Sequence, residues 1–310
     1  MVAVKMPRKG QLDGEEAEMF LREARAAAQL THPNIVSIHE VGRDADRLYI
    51  VSDFVPGDTL ADYLKDQRPT ARRAVELTIV IARALHHAHE AGVIHRDLKP
   101  SNIMLDGANE PHVMDFGLAR RSAGEVTMTI EGQVLGTPAY MSPEQAKGYG
   151  FIADRRADIY SLGVILFELL TGETPFRGNL QMMLQQVGFE EPPSPRELND
   201  TISRDLGTIC LKCLQKSPDH RYESATSLAD DLRRTLNREP IRARPVSSAE
   251  RIWRWCRRKP AIAGLLFTAG ATICTLVVLA LVGSQLQLAR ERARILEKET
   301  ALHAEQLRGH

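Results

Sequence analysis

Ten residues constrain this chain more than any others: Val93-Ile94-His95-Arg96-Asp97-Leu98-Lys99-Pro100-Ser101-Asn102. A carboxylate, an amine and a carboxamide (Asp97, Lys99 and Asn102) fall within six residues. The apolar pair Val93-Ile94 leads in, and Ile103-Met104-Leu105 leads out as a short buried strand. Pro100 keeps Lys99 out of a helical conformation, so the polar residues sit on a loop between two apolar anchors. Alone, such a loop would be a solvated polar turn. A second element removes that reading: Val113-Met114-Asp115-Phe116-Gly117 again ends an apolar strand with an acid and follows it with a glycine. Two strand-end acids at this separation suit a site that holds divalent cations and a phosphate.

His95-Arg96-Asp97-Leu98-Lys99-Pro100-Ser101-Asn102 resembles the catalytic loop of the protein kinase family, and Asp115-Phe116-Gly117 its metal-binding tripeptide, in the same order. The resemblance runs from about Val2 to Leu236. It implies ATP as phosphate donor and Mg2+ as cofactor. Asp97 would accept the substrate hydroxyl proton, Lys99 would support the transferring phosphate, and Asn102 and Asp115 would hold magnesium.

The N-terminal residues Met1-Val2-Ala3-Val4-Lys5 alternate like a half-buried strand. They resemble the family's third strand, which makes Lys5 the residue that holds the α- and β-phosphates. Gly14 to Leu30, rich in Ala, Glu, Leu and Arg, reads as a helix. Within it Phe20-Leu21-Arg22-Glu23-Ala24 resembles the regulatory helix, with Glu23 as ion-pair partner of Lys5. Glu16 and Glu18 are rival carboxylates, but the apolar neighbours Phe20, Ala24 and Ala27 put Glu23 nearer the buried face. Strands are expected at 35–41 and 47–52, with a hairpin turn at 42–46. Ser52 to Gly57 resembles the interlobe hinge. There the Asp53 carbonyl and the Val55 N–H would read the adenine edge, and Ser52 would guard the back of the pocket as an unusually small residue. Lys5 lies four residues from the N-terminus, so residues 1–310 contain no Gly-rich phosphate-covering loop before it. The expectation is therefore a truncated small lobe and poor transfer by this chain as given. The alternative is a catalytically weak or silent kinase-like binding module.

Thr70 to Ala91 reads as a long helix with Ala74, Leu77, Ile81, Ala84, Leu85 and Ala88 along one stripe. His86, His87 and His89 near its end suit a helix C-terminus better than a metal, since no further ligand is in view. The polar stretch Arg120 to Gln133 resembles the activation segment, which closes at Gly136-Thr137-Pro138-Ala139-Tyr140-Met141-Ser142-Pro143-Glu144. Thr127 and Thr129 are its phosphorylation candidates, and Arg96 would clamp an added phosphate. Thr137 together with Lys99 resembles the serine/threonine class. The apolar helix from Asp158 to Leu170 is too short to span a bilayer and carries Glu168, so it reads as the centre of a helical lobe. The resemblance makes Asp158 a binder of the catalytic-loop backbone and pairs Glu144 with Arg221. Helices at 180–187, 202–214 and 224–236 complete the lobe. Cys210-x-x-Cys213 lies in an apolar helical pattern with no second pair, which points to packing and not to zinc.

Forty basic residues balance forty acidic ones, so net charge argues for no nucleic-acid partner. Four cysteines and no signal-peptide pattern suggest a reducing compartment. Past residue 237 the composition changes. Trp253 and Trp255 stand among Arg251, Arg254, Arg257, Arg258 and Lys259, and Ala261 to Gly283 then carries no charge over 23 positions. At ~1.5 Å per residue that stretch spans about 35 Å, enough for a hydrocarbon core, and the Trp/Arg segment suits the interface. The expected class is α+β: a two-lobed protein-kinase-like fold with a truncated small lobe, followed by a single transmembrane helix. The expected divisions are small lobe 1–55, helical lobe 56–237, basic linker 238–260, span 261–283 and an extracytoplasmic helical tail 284–310. Leu286, Ile295, Leu302 and Leu307 in that tail are too loosely spaced for a coiled coil. The partners implied are proteins bearing Ser or Thr hydroxyls and a lipid bilayer, and a homodimer is compatible with the sequence.

Overall fold

A computed structural model describes residues 1–7, 14–45, 47–116, 138–150 and 153–243, together with Thr268, Thr272, Thr275 and Leu279. Met1–Pro245 forms one compact unit and Val246–His310 a second. The first unit opens with a three-stranded antiparallel sheet of β1 (Val2–Lys5), β2 (Ile38–Asp44) and β3 (Arg47–Asp53), in the order β1-β3-β2. Lys5 stands opposite Ile50 and Ala3 opposite Ser52, a register that aims Ala3, Lys5 and Ser52 at one cavity. Helix α1 (Gly14–Ala27) covers the sheet, packing Ala17, Phe20, Leu21 and Ala24 against Leu48 and Ile50.

Strand β2 starts later than the hydrophobic pattern suggests. Ile35 instead forms a parallel bridge to Val113, flanked by Val36 N–H to Val113 O and Val113 N–H to Asn34 O, both 2.9 Å. These bonds stitch the first sheet to a second one made of β4 (Gly57–Thr59), β5 (Ile103–Asp106) and β6 (Pro111–Val113). Apolar composition identifies Ile35 as buried, but only the pairing partner decides which strand it serves. Gly57 sits at φ 148°, and a Cβ there would lie 1.9 Å from the Leu105 carbonyl oxygen, so glycine is the one residue that lets β4 approach β5.

The rest of the unit is helical: α2 (Leu60–Asp66), α3 (Ala71–Glu90), α4 (Pro143–Ala146), α5 (Arg156–Thr171), α6 (Leu180–Phe189), α7 (Pro195–Leu198), α8 (Arg204–Cys213) and α9 (Ala225–Leu236). Thr70 caps α3 by accepting the Arg73 N–H, and the stripe Ala74, Leu77, Ile81, Ala84, Leu85, Ala88 is buried along its length. Helix α5 is buried on nearly every side, between α3 and α8. Its contact with α8 depends on Gly163, where a Cβ would meet Cys213 Cβ at 2.4 Å. Cys210 and Cys213 are free, fully buried thiols whose pKa values burial raises, as packing residues require. Among the described residues no cluster of three or more metal-ligating side chains occurs; the His87 ring lies 5.3 Å from that of His32, tilted by 39°, and His86 faces Glu90 at 4.0 Å.

In the second unit Thr268, Thr272, Thr275 and Leu279 are helical, and Thr272 Oγ1 donates to the Thr268 carbonyl at 2.8 Å. Among the described residues no helix is long and apolar enough to cross a membrane. The expected span 261–283 lies almost wholly outside them, as do the Trp/Arg segment, the 284–310 tail, Gly117 and the activation-segment residues Thr127, Thr129 and Thr137.

Candidate active site

The loop 95–102 is held from below by one buried carboxylate. Asp158, in the first turn of α5, accepts the His95 N–H through Oδ2 and the Arg96 N–H through Oδ1, each at 2.8 Å. His89, on the last turn of α3, reaches the same Oδ2 at 2.8 Å, and both side chains are fully buried. Burial by itself would push the Asp158 carboxyl up. The hydrogen bond and charge of His89, with the His95 amide, outweigh it and hold the carboxyl below its ordinary range. Helical periodicity gives no sign of this role for His89, because the partner stands 69 residues away.

These bonds fix an unusual backbone. Arg96 and Asp115 both adopt left-handed conformations, at φ 64° and 67°. Strain of this kind persists only where surrounding bonds over-determine it. His95 supplies two of them, through its Nε2 contact with the Met114 carbonyl at 2.9 Å and its ring packed on Phe116 at 4.8 Å between centroids.

On this frame Asp97 Oδ2 lies 2.7 Å from Lys99 Nζ and 3.3 Å from Asn102 Nδ2, while that Nδ2 also donates to the Asp97 carbonyl at 2.8 Å. The Asn102 carbonyl in turn accepts the Met114 N–H at 3.0 Å, which ties the loop to the segment carrying Asp115. Lys5 Nζ lies 2.6 Å from Asp115 Oδ2. Glu23 Oε1 lies 3.5 Å from Arg96 Nη1, so the expected Lys5–Glu23 ion pair is not made: the lysine is taken by the nearer Asp115 carboxylate. Two of the sequence-picked residues, Glu144 and Arg221, meet in a bidentate pair at 2.8 and 2.7 Å. The fully buried Arg221 guanidinium also donates to the carbonyls of Gln215, Arg156 and Lys216.

Between the two sheets a cavity of about 370 Å³ is lined by Ala3, Lys5, Ile38, Ser52, Met104 and Asp115, and also by Asp53, Val55, Ala27 and Phe116. Asp53 is fixed there by its N–H to the Ser37 carbonyl at 2.9 Å and by its side chain to His39 at 2.6 Å. The lining is mostly apolar, with a cationic amine and a carboxylate at one end, which is what a planar base carrying a polyphosphate requires. The donors available to a cation fit magnesium. Asp115 offers a carboxylate, and Asn102, its amide nitrogen committed to Asp97, offers its carbonyl oxygen. Magnesium takes few protein oxygens of this hard type and completes its shell with phosphates and water.

The protein kinase domain model matches residues 1–232. The chain belongs to the protein kinase family. This kinase chain is 43% identical over 243 residues to the serine/threonine-protein kinase PknB of Mycobacterium tuberculosis, an alignment that covers 75% of the chain and 38% of PknB. It is 38% identical over 231 residues to the serine/threonine-protein kinase PrkC of Bacillus subtilis, covering 74% of the chain and 35% of PrkC. It thus spans little more than a third of the length of these relatives. Among solved structures, the Mycobacterium tuberculosis PknI kinase domain aligns with a TM-score of 0.59 at 26% identity, over 75% of this chain and 84% of that one.

Proposed function

We propose that this chain is a membrane-anchored serine/threonine protein kinase that transfers the γ-phosphate of ATP to protein hydroxyls. The observation that carries the reading is the grouping of Asp97, Lys99 and Asn102 on one strained loop, hydrogen-bonded through Met114 to the strand end that bears Asp115. Asp97 accepts the hydroxyl proton and aims its oxygen, and Lys99, 2.7 Å from that carboxylate, supports the phosphate during transfer. Asn102 and Asp115 would hold magnesium, which when bound neutralises phosphate charge. Lys5 holds the α- and β-phosphates; before nucleotide binds, its ammonium is paired with Asp115, while Glu23 pairs with Arg96. The Asp53 carbonyl and Val55 N–H, in the segment that lines the cavity, read the adenine edge. Because this chemistry is mostly positioning and charge neutralisation, these few side chains suffice for it. Transfer of label from γ-labelled ATP to Ser/Thr peptides, dependent on magnesium, is the expected result. No transfer at any magnesium concentration would remove the proposal.

Regulation follows from Arg96. Its buried Nε has no hydrogen-bond partner among the described residues, a donor suited to a phosphate on Thr127 or Thr129. Thr137 belongs to the segment that closes over the substrate. Anchoring rests on the uncharged run Ala261 to Gly283, with the kinase unit on the cytoplasmic side. Five basic residues from Arg251 to Lys259 flank that side, against Arg290, Arg292, Arg294 and Lys298 beyond. Protease added to intact cells should spare the kinase unit, and its digestion would reverse the orientation.

A further inference from the structure

Resting on that kinase reading, we infer that Gln145 is a positioning residue for Asp97, linking the start of α4 to the catalytic loop through one side-chain amide. The amide is used at both ends. Gln145 Oε1 accepts the Ser142 backbone N–H and the Ser142 hydroxyl, each at 3.0 Å, while Nε2 donates to the Arg96 carbonyl at 2.7 Å.

The first half of this arrangement is a capping box, which needs only an acceptor, and glutamate serves that purpose as well as glutamine. The second half needs a donor, which a carboxylate cannot supply near neutral pH. The choice of amide is therefore explained by the Arg96 carbonyl and not by the cap. That carbonyl belongs to the Arg96–Asp97 peptide, whose N–H side is met by His95 Nδ1 at 3.3 Å. Gln145 and His95 thus hold the two edges of a single peptide plane. Arg96 at φ 64° turns this plane out of the ordinary backbone path, so the local chain does not hold it there unaided. Rotation of the plane would swing the Cα–Cβ bond of Asp97, and with it the carboxylate that sits 2.7 Å from Lys99. Asp158 fixes the two preceding N–H groups and Asn102 the following carbonyl. Gln145 is the member of this set that comes from the segment closing the substrate side. It lets the seating of α4 reach the angle of Asp97.

The test compares the 310-residue chain with its Gln145→Glu and Gln145→Leu variants. Gln145→Glu keeps the cap acceptor and its size but sets a carboxylate against the Arg96 carbonyl. Its kcat should fall on the order of tenfold or more near pH 7.5, with the KM for ATP within about twofold and the thermal midpoint nearly unchanged. The ratio of its kcat to that of the unaltered chain should climb as pH falls towards about 5.5, because the protonated acid regains a donor. Gln145→Leu should be slow at every pH, and hydrogen exchange at the Asp97 amide should quicken in it. A Gln145→Glu variant of full rate, or one whose loss is independent of pH and equal to that of Gln145→Leu, would overturn the inference. If the unaltered chain transfers no phosphate, the kinase reading fails instead. The Asp97 amide then decides alone, and equal exchange in the unaltered and Gln145→Leu chains would overturn the link.

Discussion

Asp158 Oδ1 accepts the backbone N–H of Arg96 at 2.8 Å, at a residue whose φ is 64°. A non-glycine residue in this region carries of order 1–3 kcal/mol of strain, which the buried carboxylate offsets. Asp158→Ala leaves two N–H groups and the fully buried His89 without their acceptor. It should cost about 3–5 kcal/mol of stability as well as activity, read as a drop in the denaturation midpoint. A midpoint like that of the unaltered chain would mean water replaces the carboxylate.

The same carboxyl sets a pH dependence. Its folded pKa lies below the ordinary 3.8, so the folded state binds its proton less readily than the unfolded chain does. Its contribution to stability is therefore complete above about pH 4–5 and is lost as pH falls through the depressed folded value. Acid unfolding followed for the unaltered chain and for Asp158→Asn should show the steeper loss in the unaltered chain. Parallel curves would assign acid unfolding to other carboxylates.

Asp97→Asn keeps the shape of the side chain but removes the charge facing Lys99 and the capacity to take a proton. Transfer should fall about 10²–10⁴-fold. Asp97 is 40% exposed at the side chain, so stability should move by less than about 1 kcal/mol. Activity retained at matched stability would take Asp97 out of the site.

Lys5 separates stability from function in the same way. Its ion pair with Asp115 is short, at 2.6 Å, yet the Lys5 side chain is 57% exposed, and such pairs contribute ~0–1 kcal/mol. Lys5→Met should leave the unfolding midpoint nearly fixed while nucleotide binding and phosphate transfer drop. A large loss of stability with unchanged nucleotide affinity would make the pair structural.

At Gly163 two effects oppose each other. Alanine gains roughly 0.5–1 kcal/mol of helix propensity, but its Cβ would stand 2.4 Å from Cys213 Cβ, and overpacking of that kind costs about 1–3 kcal/mol. Because Cβ atoms follow the backbone, α5 and α8 must separate to admit it. Gly163→Ala should therefore be less stable, and a rise in the melting temperature would show that the helices can slide apart freely.

How much of this was legible beforehand depends on the range of the interaction. The 3.6-residue stripe of α3, the helical start of α1 at Gly14 and the loop bracketed by Val93-Ile94 and Ile103-Met104-Leu105 are local patterns, and a one-dimensional reading finds them. Chemistry confined to a few consecutive residues was equally plain: Asp97, Lys99 and Asn102 stand together in the sequence and in space, and the protein kinase family follows from them and Asp115. Pairing across distance was legible only where the family resemblance supplied it, as for Asp158 with the loop backbone and Glu144 with Arg221. Ile35 looked like part of β2 but bridges to Val113, because burial alone does not say which edge a strand meets. His89 looked like a cation suited to a helix end, yet lies buried against Asp158. Gln145 drew no sequence signal at all, yet its amide reaches Arg96, 49 residues earlier. The sequence by itself determined which elements form and which residue types carry the chemistry, because both depend on near neighbours. Only the tertiary structure decided the partners of Arg96, Lys5, His89 and Gln145. A hydrogen bond is set by distances of about 3 Å, and those distances come into being only when the core has packed.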